Sequence, residues 1–115
     1  PRINFVDRPA ADASGPHRAL WAVLTTGPAG AAAHNVGLRP EHLHLAADGE
    51  GLAATVALCE HLGDTTIAYL QVDGLPELLH AKLPADQAPL AAGATVALAP
   101  DAAWALAFDD NGRLI

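Results

Sequence analysis

The sequence predicts an all-β fold, a small barrel or sandwich of about eight short strands. Three observations predict it. Ten Gly and nine Pro punctuate the 115 residues every few positions, which favours turns over long helices. The segments between them are rich in β-branched residues or alternate in polarity. Hydrophobic residues reach 51% but aromatics only 4%, and much of the remainder is Ala; Val, Leu and Ile must therefore form most of the core.

In chain order, residues 2–6 (Arg-Ile-Asn-Phe-Val) are short and β-prone, and residues 18–25 form a second expected strand around Leu20, Trp21, Val23 and Leu24. The Gly/Pro/Ala stretch 27–33 reads as a loop and 34–38 as a brief strand. Pro40 restricts Arg39 to extended geometry, which excludes a helix through that point but permits one 3₁₀ turn over 40–43. Residues 52–60 are a continuous, mostly apolar strand segment, and 65–72 (Thr-Thr-Ile-Ala-Tyr-Leu-Gln-Val) are rich in β-branched residues. His61-Leu62-Gly63-Asp64 between them reads as a hairpin turn. Residues 78–83 alternate, with Leu79, Ala81 and Leu83 on one face and Leu78, His80 and Lys82 on the other. Pro89 interrupts the helical alternative that Pro84 would open, so 84–93 is a loop. Two short strands, 94–99 and 103–108, precede the turn Asp109-Asp110-Asn111-Gly112.

Charge narrows the function. The formal net charge is −7 and the pI about 5.1. The six basic residues, Arg2, Arg8, Arg18, Arg39, Lys82 and Arg113, are scattered rather than gathered into the stripe that nucleic acids or anionic membranes require. Cys59 stands alone, so no intramolecular disulfide can form. No apolar run approaches the ~18 residues of a membrane span, and no charged segment followed by an apolar one opens the chain as a secretory signal would. The chain begins Pro1-Arg2-Ile3 and contains no Met, which is expected of a piece of a longer polypeptide.

Several residue groups invite a chemical reading. His42 and His44 form an H-x-H pair, which on a strand would face one side and with His61 or His80 could hold zinc. Without a third ligand at a recognised spacing, solvent-facing or locally bonded histidines are the simpler expectation. Cys59 and the nearby His61 suggest a thiol with its base, but a buried structural cysteine fits the strand better. Asp109, Asp110 and Asn111 resemble the start of a calcium loop, whose closing Glu would fall beyond the last residue. Neither phosphate-cradling glycine loop is present, and Ser14 is the single serine. No nucleophile, base and oxyanion site can be assembled from these residues.

One segment is more specific. Gly37-Leu38-Arg39-Pro40-Glu41-His42 resembles the Gly-Ile-Arg-Pro-Glu-His signature in the C-terminal domain of ABC ATPases that energise import of sugars and sn-glycerol 3-phosphate. Four further segments match in order: Asn4-Phe5, with Ile3 where the family has Met; Glu60-His61-Leu62-Gly63-Asp64; Gly93 with Ala94-Thr95-Val96-Ala97-Leu98; and Ala105-Leu106-Ala107-Phe108-Asp109, with Gly112 as the turn glycine. Together they span almost the whole chain. Leu106-Ala107 departs from the pattern, where His-Leu is common.

The resemblance implies an OB-like barrel of the TOBE (MOP-like) type, residues 1–115 forming one C-terminal accessory domain. It implies a dimerisation and regulatory module rather than an enzyme, with ATP and Mg held by the absent motor domain and no cofactor here. The implied partners are a second copy of the same subunit, its own motor domain, the membrane permease subunits and a regulatory protein, with no nucleic acid; the implied location is the cytoplasmic face of the cell membrane. Gly37 and Gly63 are expected at turns or close approaches. Pro40 should set a rigid corner, with Arg39 and Glu41 placed to pair, to cap backbone, or to meet another surface. His42, Glu60 and Asp109 belong to the matching segments, and Trp21, Trp104 and Phe108 are the expected core or interface anchors. Two rival functions are an oxyanion-binding module of the molybdate type and a small zinc-dependent enzyme. Oxyanion sites need converging N–H, hydroxyl and cationic donors, in which this chain is poor. Oligonucleotide binding would need a basic groove with stacking aromatics.

Overall fold

Eight strands dominate the computed structural model, which describes residues 3–46, 51–84, 87 and 90–115. They are β1 (Asn4–Asp7), β2 (Asn35–Leu38), β3 (Leu43–Leu45), β4 (Leu52–Leu62), β5 (Thr65–Gln71), β6 (Leu79–Leu83), β7 (Thr95–Pro100) and β8 (Leu106–Phe108). All pairings are antiparallel. One sheet has the order β1-β2-β8 and the other β3-β7-β4-β5-β6. The larger sheet curls until β6 lies beside β3 and the Pro40–His42 turn. The fold is the expected all-β, OB-like barrel of short strands.

The segment 18–25 corrects the strand expected there. Pro16–Leu24 is an α-helix, α1, with Leu20, Trp21 and Leu24 buried. Their spacing of one and three residues is helical, and Ala19, Leu20, Ala22 and Arg18 are good helix formers. Pro16 sits in the first turn, where its missing N–H costs nothing. Tertiary burial of the Leu20–Trp21–Leu24 stripe outweighs the β preference of Trp21 and Val23. Three smaller differences accompany it. The hairpin turn is only Gly63-Asp64, because Leu62 already pairs with Thr65. Residues 102–104 form a 3₁₀ turn, so β8 is shorter than the expected 103–108. Leu43–Leu45 is a strand that went unread. Of the loop expected over 84–93, residues 85, 86, 88 and 89 lie outside the described residues, and the described remainder is neither helix nor strand.

A single core joins both sheets and the helix. Val6, Val36 and Leu38 come from the small sheet; Leu43, Val56, Leu70, Leu79, Leu83 and Leu98 come from the barrel. Two polar devices close the seams. Asn4, buried, donates from Nδ2 to the His80 carbonyl (2.8 Å) and accepts at Oδ1 from the His80 N–H (2.7 Å), so one side chain satisfies both backbone groups of an edge-strand residue. Arg8 lies over the Trp21 ring, 5.2 Å from its centroid, and donates to the carbonyls of Ala31 and Ala33.

A bulge positions the surface that matters below. Thr55 and Val56 oppose Gln71 and Leu70, but Leu58 opposes Tyr69, so Ala57 is the extra residue in β4. Without it, Leu58, Glu60 and Leu62 would continue the inward face of Ala54 and Val56. With it, they turn outward.

Candidate functional site

The corner after β2 is held by backbone. Pro40 is fully buried, the His42 N–H donates to the Arg39 carbonyl (3.0 Å), and the Asp101 N–H donates to the His42 carbonyl (2.9 Å). The His42 ring stacks on Trp104, with centroids 4.6 Å apart and planes 5° off parallel. Its Nδ1 is buried and has no hydrogen-bond partner among the described residues. Trp104 keeps 59% of its surface exposed, so its outer ring face is open. Arg39 and Glu41 are both exposed, and among the described residues neither pairs with the other nor caps a backbone group. Their two charges project from a rigid corner.

The outer face of the small sheet is apolar. Phe5 opposes Gly37 across the strands, and Gly37 opposes Leu106. Phe5 and Phe108 meet with centroids 6.1 Å apart. A Cβ on Gly37 would lie 3.0 Å from Ile3 Cδ1, 3.3 Å from Phe5 and 3.4 Å from Phe108, so glycine is the floor on which these side chains rest. Beyond β8, the Asp109 carboxylate accepts from the N–H groups of Asn111 (2.9 Å) and Arg113 (3.0 Å), and Gly112 takes φ +77°. Asp109 thus organises a turn, the role that Asp side chains take when they bond their own backbone.

The outer face of β4–β5–β6 is different. Residues opposite one another across these strands form rows: Leu58–Tyr69–His80, Glu60–Ile67–Lys82 and Leu62–Thr65. Ile67 forms the floor of a hollow of about 450 Å³ lined by Glu60, Leu62, Thr65, Tyr69, His80 and Lys82. Tyr69 donates its hydroxyl to Glu60 and meets the His80 ring edge-on at 4.5 Å. The hydrogen bond to Glu60 pushes the Tyr69 phenol above its ordinary value, with burial and the carboxylate charge adding to it. Leu58 and Leu62 remain about half exposed. Gly63, at φ +73°, begins the turn that ends this hairpin; positive φ at the first central residue alone is the type II′ pattern.

Of the residues singled out from the sequence, the structure brings Pro40, His42 and Trp104 together at the corner, and Gly37 and Phe108 on the small sheet. Glu60 joins Tyr69, His80 and Lys82, a grouping that does not follow from their positions in the sequence. Its signal was partly there: the alternation of 78–83 already set His80 and Lys82 on the face away from the core. The bulge at Ala57, which brings Glu60 onto that same face, had no such signal. The histidines do not converge, and among the described residues no three His, Cys, Asp or Glu side chains are grouped to hold a metal. His44 is exposed on β3, and His61 bonds to the Thr66 hydroxyl at 3.1 Å. Cys59 is half-buried against the core.

Comparison with known proteins adds a family. No curated protein matches the chain. The family model of the TOBE domain matches residues 36–108, from β2 through the barrel to the end of β8 and well over half of the chain. The chain belongs to the TOBE domain family, the regulatory and ligand-binding modules that associate with the motor domains of ABC-transporter ATPases.

Proposed function

We propose that this domain is the dimerisation and regulatory module of an ABC ATPase that energises import of a sugar or sn-glycerol 3-phosphate. The observation that carries the reading is the corner at Gly37–His42. Its backbone is fixed by buried Pro40 and by hydrogen bonds on both sides, yet among the described residues Arg39 and Glu41 have no partner. Two charges carried on a fixed backbone corner suit recognition of another protein surface, because the backbone there has little freedom left to lose on contact.

The work of the module is mechanical. ATP and Mg are bound and turned over by the motor domain, and this domain contributes no group to hydrolysis. Pairing of two copies keeps the motors close through their opening and closing, so that reassociation is intramolecular. Motor, permease and any regulatory protein meet at the cytoplasmic face of the membrane, where the domain resides.

The oxyanion alternative is weakened by one feature of the hollow over Ile67. Its single ammonium, Lys82, shares the site with the Glu60 carboxylate, and a carboxylate opposes anion binding. Sedimentation, an ATPase assay and a molybdate titration followed by Trp fluorescence test the reading together. The expected outcome is self-association without hydrolysis and without a molybdate response. ATP turnover by the purified domain would falsify the division of labour, and a tight molybdate response would favour the alternative.

A further inference from the structure

The middle row on the outer face of β4–β5–β6 is arranged as acid, apolar residue, base: Glu60, Ile67 and Lys82. The outer two belong to strands on either side of β5. They therefore stand about 10 Å apart at the backbone, two strand spacings, with Ile67 between them. Among the described residues the Lys82 ammonium makes no hydrogen bond or ion pair. Glu60 is held in place by the Tyr69 hydroxyl, which leaves carboxylate acceptor capacity unused. On β4, Leu58 and Leu62 flank Glu60 as an exposed apolar ridge, and Leu62 also lines the hollow.

We infer that this face pairs with the same face of a second copy, about a two-fold axis running along β5, so that Glu60 of each copy meets Lys82 of the other. The argument is one of symmetry. A rotation about an axis parallel to β5, lying between two facing sheets, leaves each row at its own level and exchanges the β4 and β6 sides. Ile67 then faces Ile67, the acid faces the base, and the base faces the acid. The Leu58–Leu62 ridge of one copy comes over the His80–Lys82 side of the other and enters its hollow. An isologous interface requires such self-complementarity: residue i must suit residue j, and j must suit i. A row with two acids or two bases would instead place like charges together.

The inference rests on the proposed pairing of two copies and names the surface that pairs. Three short strands offer only a few hundred Å² a side, less than the ~800 Å² of a stable complex. The isolated domain should therefore associate weakly, with the two ion pairs deciding specificity, and association should weaken as salt rises.

The test is charge reversal and its rescue, by sedimentation velocity over a concentration series up to about the millimolar range expected for weak association. Glu60→Lys and Lys82→Glu each place like charges at two symmetry-related positions, and each is expected to raise the dissociation constant by about tenfold or more. The double variant E60K/K82E restores opposite charges and should return the constant to within a few-fold of the starting protein, while circular dichroism shows all three variants folded. Rescue by the second reversal is the outcome that a general loss of structure would not give. If the starting protein forms dimers that both single variants leave unchanged, pairing uses another face: the inference is overturned and the dimerisation reading survives. If the starting protein is monomeric at every concentration, both fail.

Discussion

The outer faces of the two sheets both expose large side chains, but they are built on opposite plans. On the small sheet the apolar groups complete one another: Phe5, Phe108 and Ile3 lie over Gly37, and Asn4 on the reverse side of β1 ties the sheet to β6. On β4–β5–β6 the groups complete one another only in part, through the contacts of Tyr69 with Glu60 and His80. Lys82 has no partner among the described residues, and Leu58 and Leu62 face outward because a bulge turns them there. A bulge that re-aims apolar side chains towards water costs burial that an inward register would keep, so it makes sense where another surface covers them. The first face serves the fold and the second serves a partner. Substitutions on the first should lower stability without altering association; those on the second should do the reverse.

The largest expected effect lies at Asn4. Its replacement by Ala leaves the N–H and C=O of His80 without their partner at a closed seam. Each unsatisfied buried backbone group costs about 1–3 kcal/mol, so Asn4→Ala should lose about 2–6 kcal/mol of stability. Urea denaturation would read this as a lower midpoint with little change in slope. Self-association measured below that midpoint should be unaltered, and a loss of pairing by the folded variant would erase the division between the faces.

Gly37 comes next. A Cβ there meets only the ends of Ile3, Phe5 and Phe108, which can shift by a few tenths of an ångström. Gly37→Ala should therefore cost only about 1–2 kcal/mol, the lower part of the range for overpacking. A larger loss, of the size expected from a backbone collision, would mean that the rings cannot move and that the face is more rigid than its exposure suggests. Near-ultraviolet circular dichroism from the phenylalanines should change in either case, since their packing against residue 37 is what the substitution disturbs.

The same contrast explains what could be read from the sequence. The strands of the barrel were legible because alternation and β-branching survive in a linear string: Leu79, Ala81 and Leu83 were assigned to one face, and that face is buried. The corner at Pro40 was legible because proline restricts its own φ and the residue before it. The strand expected over 18–25 is instead part of the helix Pro16–Leu24: Trp21 and Val23 favour strands locally, while the helical stripe has meaning only against the core it covers. The Glu60–Tyr69–His80–Lys82 face was hidden for a different reason. The bulge at Ala57 shifts the register by one residue and reverses the face of everything after it, and nothing local distinguishes Ala57 from its neighbours. The stacking of Trp104 on His42 joins residues far apart in the chain and leaves no local trace.

That stacked pair gives a smaller effect. Trp104 is largely exposed, so Trp104→Ala removes one aromatic contact and little buried area. About 0.5–1.5 kcal/mol is the expected loss in urea denaturation. The corner itself should keep its geometry, because the hydrogen bonds at Arg39, His42 and Asp101 are all made by backbone. If Trp104→Ala instead abolished assembly with the motor domain while leaving the fold intact, the exposed ring would itself belong to the contact surface that the corner presents.

The smallest effect sharpens the description of the second face. Tyr69 is the one tyrosine in the chain, so the alkaline phenolate absorbance reports on it alone. Its pKa is raised, chiefly by the hydrogen bond to Glu60. The folded protein therefore holds this proton more tightly than the unfolded chain. The stability that this supplies is fully present below the ordinary phenol value of about 10 and is lost as pH rises through the folded value. Glu60→Ala removes both the acceptor and the nearby negative charge, and should bring the titration midpoint back down towards the ordinary value. The Lys82→Glu variant should leave the Glu60–Tyr69 bond in place and the phenol still raised. A midpoint that ignores Glu60 but follows residue 82 would mean that Glu60 is not held by Tyr69, and the carboxylate would then be less well oriented towards a facing lysine than the row Glu60–Ile67–Lys82 requires.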